Sequence, residues 1–298
     1  MKKKENFLKI FINNLRYLFR YNIKQMEKNS VKKYELPFLF DNLKYELEYD
    51  NVKPVRPEIF DYNETIDILI KSDKSLIRYG DGEFMVMMGK SIPFQEYNED
   101  LADKLKNILK TKSEKILIGI PYVTFYSFDL MTEYAREYMW QWSIENRKKI
   151  IELIDIETKY CDTLCSQVYA NYNIDFKEYF KKVQMIWEGK DIVIICGDRV
   201  FKNIKNNIFD NAASIKYLYT LSKNAFYKYD EILKEALKED KERLIIVISG
   251  PTANILVNDL AKNGYRALDF GHIAKDYDYY IANVIHTKES NRQFFSPD

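Results

Sequence analysis

Asp81 and Glu83 stand two positions apart in the run Ile77-Arg78-Tyr79-Gly80-Asp81-Gly82-Glu83-Phe84, with a glycine before each acid. In an extended backbone residues i and i+2 share a side, so both carboxylates can meet one target. Gly80 and Gly82 permit tight geometry and the close approach of a ligand. Hard oxygen donors held this way suit Mg2+ or Mn2+, which take one or two carboxylates together with substrate phosphates. A plainer reading, a glycine turn with two solvated acids, explains the same residues.

The elements that must position these acids are legible from residue 61 onward. Asn63 can cap a helix through Ile66, Leu69 and Ile70, which leads into the strand ending at Arg78. Asn98 can cap a second helix through Leu101, Leu105 and Leu109, followed by the strand Ile116–Ile120. An aromatic helical stretch covers 127–155, and a helix is expected over 175–187. Then come strands Ile192–Cys196 and Ser214–Leu221, helix 225–238, strand Leu244–Ser249, helix 252–262 and strand Tyr265–Phe270. Short apolar strands alternating with amphipathic helices predict an α/β domain, Rossmann-like, with a mainly parallel sheet flanked by helices.

In such a sheet ligands gather where strands end and helices begin. Besides the Asp81/Glu83 turn, two strand ends carry chemistry. Ser249-Gly250-Pro251-Thr252-Ala253 follows one strand, and Pro251 suits a first helical turn because its missing N–H costs nothing there. The free amides of that turn, with the Thr252 hydroxyl, can hold a phosphate, although an ordinary helix start looks the same. Asp269-Phe270-Gly271-His272 ends the last strand and carries one of the chain's two histidines. A lone histidine is more often structural than a ligand, but this one is expected at the same edge as the acids.

Composition bounds the remaining classes. A chain of 298 residues, 46% hydrophobic and 31% charged, can bury a substantial core. With 46 Lys and Arg against 45 Asp and Glu the net charge is +1, which gives no electrostatic ground for a nucleic-acid partner. The 24 Tyr and 18 Phe can stack on sugars or fill half-buried surface. Cys161, Cys165 and Cys196 form neither a disulfide framework nor a zinc spacing and read as reduced thiols of a cytoplasmic protein. No dinucleotide fingerprint, phosphate-binding lysine loop, nucleophile elbow or paired His and Cys motif is present in the chain.

Residues 1–30 differ from the rest. Phe7, Leu8, Phe11, Ile12, Leu15, Leu18, Phe19 and Ile23 recur at helical spacing among Lys2, Lys3, Lys4, Lys9, Arg16, Arg20 and Lys24. Broken by Lys and Asn, this stretch is neither a transmembrane span nor a cleavable signal peptide. As a basic amphipathic helix it can lie on an anionic membrane or pack on protein. Residues 31–60, polar and carrying Pro54 and Pro57, read as a connecting arm to a domain over 61–298.

Five blocks then fall in one order: Arg78–Phe84; Gly189-Lys190-Asp191-Ile192-Val193; Ser222-Lys223-Asn224-Ala225-Phe226 with Tyr229-Asp230-Glu231-Ile232; Gly250-Pro251-Thr252-Ala253; and Asp269-Phe270-Gly271-His272-Ile273. Over roughly 61–282 they resemble the GT-D fold glycosyltransferases, a bacterial family that moves a sugar from a UDP-sugar. The resemblance implies a hexosyltransferase with Mn2+ or Mg2+ as cofactor, acting in polysaccharide or glycoprotein biosynthesis. It implies Asp81 and Glu83 as the catalytic acids handling metal and diphosphate, with His272 joining the metal. It further implies Arg78, Gly80, Asn224, Gly250 and Thr252 around the nucleotide sugar.

The chain departs from the family at Cys196-Gly197, Phe201, Asn203, Lys205, Asn206 and Asn207, where a Glu-Gly and a glycine-rich Arg-Asn-Asp loop are expected, and at Ala274, where an acid is expected. The second change leaves Asp276, with Asp278 beside it, as the expected catalytic base. The expected function is metal-dependent transfer from a UDP-hexose to a glycan acceptor on a lipid carrier or protein, in the cytoplasm, with peripheral contact at the inner face of the cell membrane through residues 1–30. A non-catalytic nucleotide-sugar-binding or partner module is the alternative.

Overall fold

The structure, a computed structural model, describes residues 56–296. The expected helix over 1–30 and most of the arm over 31–60 lie outside the described residues.

The sheet forms because runs such as Ile192–Ile195 and Leu244–Val247 bury side chains on both faces, which only a covered parallel sheet allows. Its strands are β1 (Ile59–Phe60), β2 (Ser75–Arg78), β3 (Ile116–Ile120), β4 (Tyr160–Asp162), β5 (Asp191–Gly197), β6 (Ser214–Thr220), β7 (Leu244–Ile248) and β8 (Ala267–Asp269). They lie in the order β1-β4-β3-β2-β8-β7-β5-β6, every pairing parallel. The expected Rossmann-like α/β class is the observed one.

Helices α1 (Tyr62–Lys71), α2 (Asp81–Met87), α3 (Glu99–Leu109), α4 (Glu133–Leu153), α5 (Val168–Asn171), α6 (Phe176–Gln184), α7 (Tyr229–Ala236), α8 (Thr252–Lys262), α9 (Ile273–Ile281) and α10 (Lys288–Phe294) surround the sheet. The most buried of the long ones, α8, packs across β2 and β8 and against α3. Because all strands run the same way, their C-terminal ends open on one edge, where the βα connections lie.

Several boundaries differ from expectation. Asp61, not Asn63, caps α1: its Oδ1 accepts the N–H groups of Asn63 and Glu64 at 2.8 Å, while Glu64 answers to the Asp61 N–H at 3.0 Å. The last two residues of the expected arm pair with β4 as the edge strand β1. The aromatic helix starts at Glu133 because Thr132 caps it. The helix expected over 225–238 opens as a tight turn of 3-10 helix, Ala225–Lys228, before α7. The last strand shortens to Ala267–Asp269, since Tyr265 turns its hydroxyl to the Leu237 and Glu239 carbonyls.

Candidate active site

Strand β2, fully buried, ends at Arg78, and Gly80 caps the start of α2 at Asp81. Asp81 and Glu83 therefore occupy the first turn of a helix, not the extended segment expected from their spacing. Glu83 folds back so that its Oε2 accepts the Gly80 N–H at 2.8 Å, satisfying an amide the helix start leaves free. Phe84, Val86 and Met87 anchor the other side of α2 in the core. Asp81 accepts a hydrogen bond from the Tyr138 hydroxyl of α4. Burial, with the carboxylate beside it, holds that phenol protonated.

Beneath this turn Arg78 ties three strands together. Its Nε donates to the Asp269 carbonyl at 2.9 Å, its Nη1 to the Thr163 carbonyl at 3.0 Å and its Nη2 to Asp269 Oδ1 at 3.1 Å. The ends of β2, β4 and β8 are thereby fixed to one another. Gly271 leaves room for this guanidinium: its φ is +40°, and a Cβ there would fall 2.0 Å from Nη2. From the other side the Asn254 Nδ2 of α8 donates to the Arg78 carbonyl at 2.8 Å.

These strand ends enclose a cavity of about 670 Å³, within the usual range for small-molecule sites. Its wall takes Arg78, Gly80, Asp81 and Glu83 from the β2 end, Gly250 and Pro251 from the β7 end, and Asp269 and His272 from the β8 end. Phe94, Tyr134, Tyr138 and Phe295 supply aromatic faces. Two hydroxyls of the lining, Thr163 Oγ1 and Ser249 Oγ, are buried without a hydrogen-bond partner. Buried polar atoms of this kind are normally satisfied, so they leave hydrogen-bonding capacity at the edge of a wall that is otherwise largely apolar.

Five expected site residues, Asp81, Glu83, Arg78, Gly80 and Gly250, meet in this cavity with His272. Arg78 is nonetheless a latch whose bonds go mainly to the protein itself. His272 lies among the rings of Phe94, Phe294 and Phe295, and burial lowers its pKa to about 3, so the imidazole is neutral. Among the described residues no three His, Cys, Asp or Glu side chains form a ready metal cage. The donor set fits a divalent ion in another way, since Asp81 and Glu83 are hard oxygen ligands of the kind that share Mg2+ or Mn2+ with substrate phosphates.

Three expected residues stand elsewhere. Asp276 is fully buried and accepts the N–H groups of Tyr169 and Ala170 at 2.8 and 3.0 Å, joining α9 to the start of α5. Burial raises its pKa to about 7. It is absent from the cavity wall, and its carboxylate is engaged by the backbone amides of α5. Asn224 adopts a left-handed conformation (φ 54°), accepts the Glu96 N–H at 2.7 Å and donates its own N–H to the Phe94 carbonyl at 2.8 Å. It acts on the cavity through Phe94. Thr252 is fully buried behind Pro251, its hydroxyl unpartnered.

Sequence reasoning did not find Tyr138, Thr163, Asn254 or Asp269 as site residues. Asp269 lies in one of the family-like blocks, and its place at the end of an apolar strand is the signal that marks it. Tyr138 is 57 positions from its partner Asp81, and nothing local marks it.

Glu83 carries a testable consequence. Burial first, and Asp269 second, raise its carboxyl from 4.5 to about 7. The folded chain thus binds a proton there more tightly than the unfolded chain does. Stability is present below the unfolded value and is lost as pH rises toward 7. In metal-free protein, Glu83→Gln is expected to stabilise the fold by about 2 kcal/mol at pH 8 and by little at pH 4. Urea titrations at the two pH values measure this; a variant less stable than wild type at pH 8 contradicts it.

The comparisons with known proteins bear on the whole of this region. Residues 76–296 match the model of the glycosyltransferase GT-D fold family. The chain is 32% identical over 238 residues to the probable glycosyl transferase Gly of Streptococcus gordonii, covering 76% of this chain and 34% of that protein. It is 32% identical over 219 residues to the glycosyltransferase GlyD of Streptococcus pneumoniae, covering 73% and 27%. The chain therefore spans about a third of the length of the curated relatives it matches. A solved domain of unknown function 1792, described as having a distinct glycosyltransferase fold, superposes with a TM-score of 0.73 at 36% identity, covering 80% of this chain and 89% of that one. A glycosyltransferase from Streptococcus sanguinis superposes with a TM-score of 0.74 at 28% identity, covering 81% and 93%.

Proposed function

The chain belongs to the glycosyltransferase GT-D fold family, and from that premise we propose that it transfers a hexose from a UDP-sugar to a glycan acceptor on a lipid carrier or protein. The observation that carries this reading is the pairing of Asp81 and Glu83 at the start of α2 with the Gly250–Pro251 turn before α8 in one cavity. Two carboxylates and a helix N-terminus are complementary tools for a diphosphate: amides and the helix dipole favour the anion. Asp81 and Glu83 would hold Mg2+ or Mn2+ together with the diphosphate oxygens. Such an ion, when bound, neutralises charge on the departing UDP.

In the transfer, the acceptor hydroxyl oxygen bonds to the anomeric carbon as the bond from that carbon to the diphosphate breaks. The electron pair leaves with UDP. The hydroxyl proton passes to water at the open side of the cavity, since Asp269 is held by Arg78 and Asp81 and Glu83 would be engaged on the metal. Phe94, Tyr134 and Tyr138 supply aromatic faces on which the donor sugar can pack.

Incubation with a panel of labelled UDP-hexoses and Mn2+, with and without EDTA, tests the reaction. Metal-dependent release of UDP from at least one donor supports it. Binding of donors without turnover under all conditions would favour a non-catalytic binding module instead.

The basic, apolar pattern of residues 1–30 places the enzyme at a membrane in this reading. Among the described residues no helix is long and apolar enough to cross a membrane. Each Lys or Arg near an anionic surface contributes about 1 kcal/mol. Deleting residues 1–30 is expected to abolish co-sedimentation with phosphatidylserine vesicles while leaving UDP release unchanged. Full-length protein that ignores the vesicles contradicts this placement.

A further inference from the structure

A second groove, of about 640 Å³, lies beside the main cavity, between the end of β6 and α7. Leu221 and Ser222 line both spaces, so the two are neighbours across a shared wall. That wall is thin. Ser222 donates to Asp198 Oδ1 at 3.2 Å, and a Cβ added at Gly197 would meet Ser222 Oγ at 2.5 Å and its Cα at 2.8 Å. Only glycine lets β5 pass this close to Ser222.

The chemistry of the groove is mixed. Asp198, Glu231 and Glu235 face Arg199, Lys223 and Lys228, three carboxylates against three cations, so the lining has no net charge. That balance does not favour a diphosphate or any polyanion. Thr220, 9% exposed, lines the groove and carries a buried hydroxyl with no partner in the chain. Buried polar atoms are rarely left unpaired unless something else completes them. At the rim Tyr219 is 61% exposed and stacks on Tyr217 with ring centroids 5.9 Å apart and planes within 4°. Two parallel rings present a flat apolar surface beside polar groups. A pyranose ring has the same duality: flat C–H faces and an edge of hydroxyls that both donate and accept.

We propose that this groove is the acceptor subsite, holding a neutral sugar unit of the acceptor glycan next to the donor cavity. The proposal rests on the glycosyl-transfer reading. Tyr219 packs under the sugar ring, and Asp198, Arg199 and Lys223 take hydroxyl hydrogen bonds. The shared wall at Leu221 and Ser222 is where the acceptor hydroxyl crosses toward the donor.

The test uses the full chain with two kinds of probe: UDP with Mn2+, and the neutral trisaccharides maltotriose, cellotriose and chitotriose, followed by saturation-transfer NMR. At least one trisaccharide is expected to bind while UDP is saturating. Tyr219→Ala, at an exposed position, is expected to weaken that trisaccharide at least tenfold, with UDP affinity changed less than twofold. A second variant, Thr220→Val, is expected to weaken it severalfold. Displacement of the trisaccharide by UDP, equal binding by Tyr219→Ala, or no trisaccharide binding alongside tight UDP binding overturns the subsite. Failure of UDP itself to bind instead counts against the donor reading on which the subsite depends.

Discussion

Replacing Arg78 with methionine is expected to destabilise the fold by about 3–5 kcal/mol, because it leaves Asp269 as a buried charge without its partner. The guanidinium and Asp269 Oδ1 are 3.1 Å apart, with side chains only 9% and 6% exposed. The same change also frees the Thr163 and Asp269 carbonyls, each of which loses its charged donor. The urea midpoint is expected to fall with an unchanged slope, as stability changes without altered compactness do. The double variant Arg78→Met, Asp269→Leu is expected to recover only part of the loss: it removes the unpaired charge but leaves the Thr163 and Asp269 carbonyls and the Gly271 N–H without partners. A loss below about 1 kcal/mol in the single variant would show that the latch does not hold the strand ends together.

Asp81→Asn carries the other large effect. Asparagine keeps an acceptor for the Tyr138 hydroxyl, so the fold is expected to stay within about 0.5 kcal/mol of wild type. Sugar transfer is expected to fall at least about a hundredfold, the scale on which losing one group that stabilises developing charge acts. UDP binding in the variant is expected to lose its dependence on Mn2+ while metal-independent binding remains. Steady-state kinetics with calorimetric UDP titrations at several Mn2+ concentrations read both. Full activity in Asp81→Asn, or in EDTA, contradicts the assignment.

Much of the scaffold was legible because its signals are local. Strands β3, β5 and β7 are apolar runs bounded by turns, Asn98 caps α3 as its type predicts, and Pro251 marks the start of α8 over Thr252–Lys262. The short strands β1 and β4 escaped because two or three residues, Ile-Phe and Tyr-Cys-Asp, carry no periodicity. Helix α2 escaped for another reason. Gly-Asp-Gly-Glu has turn composition, and its helical state depends on Glu83 closing onto the Gly80 N–H and on Phe84 reaching the core. Proximity along the chain also misled. Asp276 follows His272 by one turn of helix, yet its carboxylate serves amides of residues 169 and 170, more than a hundred positions earlier. Asn224 lies in a block tied by resemblance to the nucleotide, but it clamps the loop that carries Phe94. Asp81 and Glu83 reach one cavity wall although the extended backbone expected from their spacing is not formed, because two acids in the first turn of one helix also share a wall.

A crystal structure of the chain grown with UDP and Mn2+ tests the central claim most directly. The account predicts diphosphate density in the cavity between the Asp81 carboxylate and the Gly250–Pro251 turn, with the metal on Asp81, Glu83 or both. Nucleotide bound elsewhere, or a cavity left without nucleotide at saturating UDP, would contradict it.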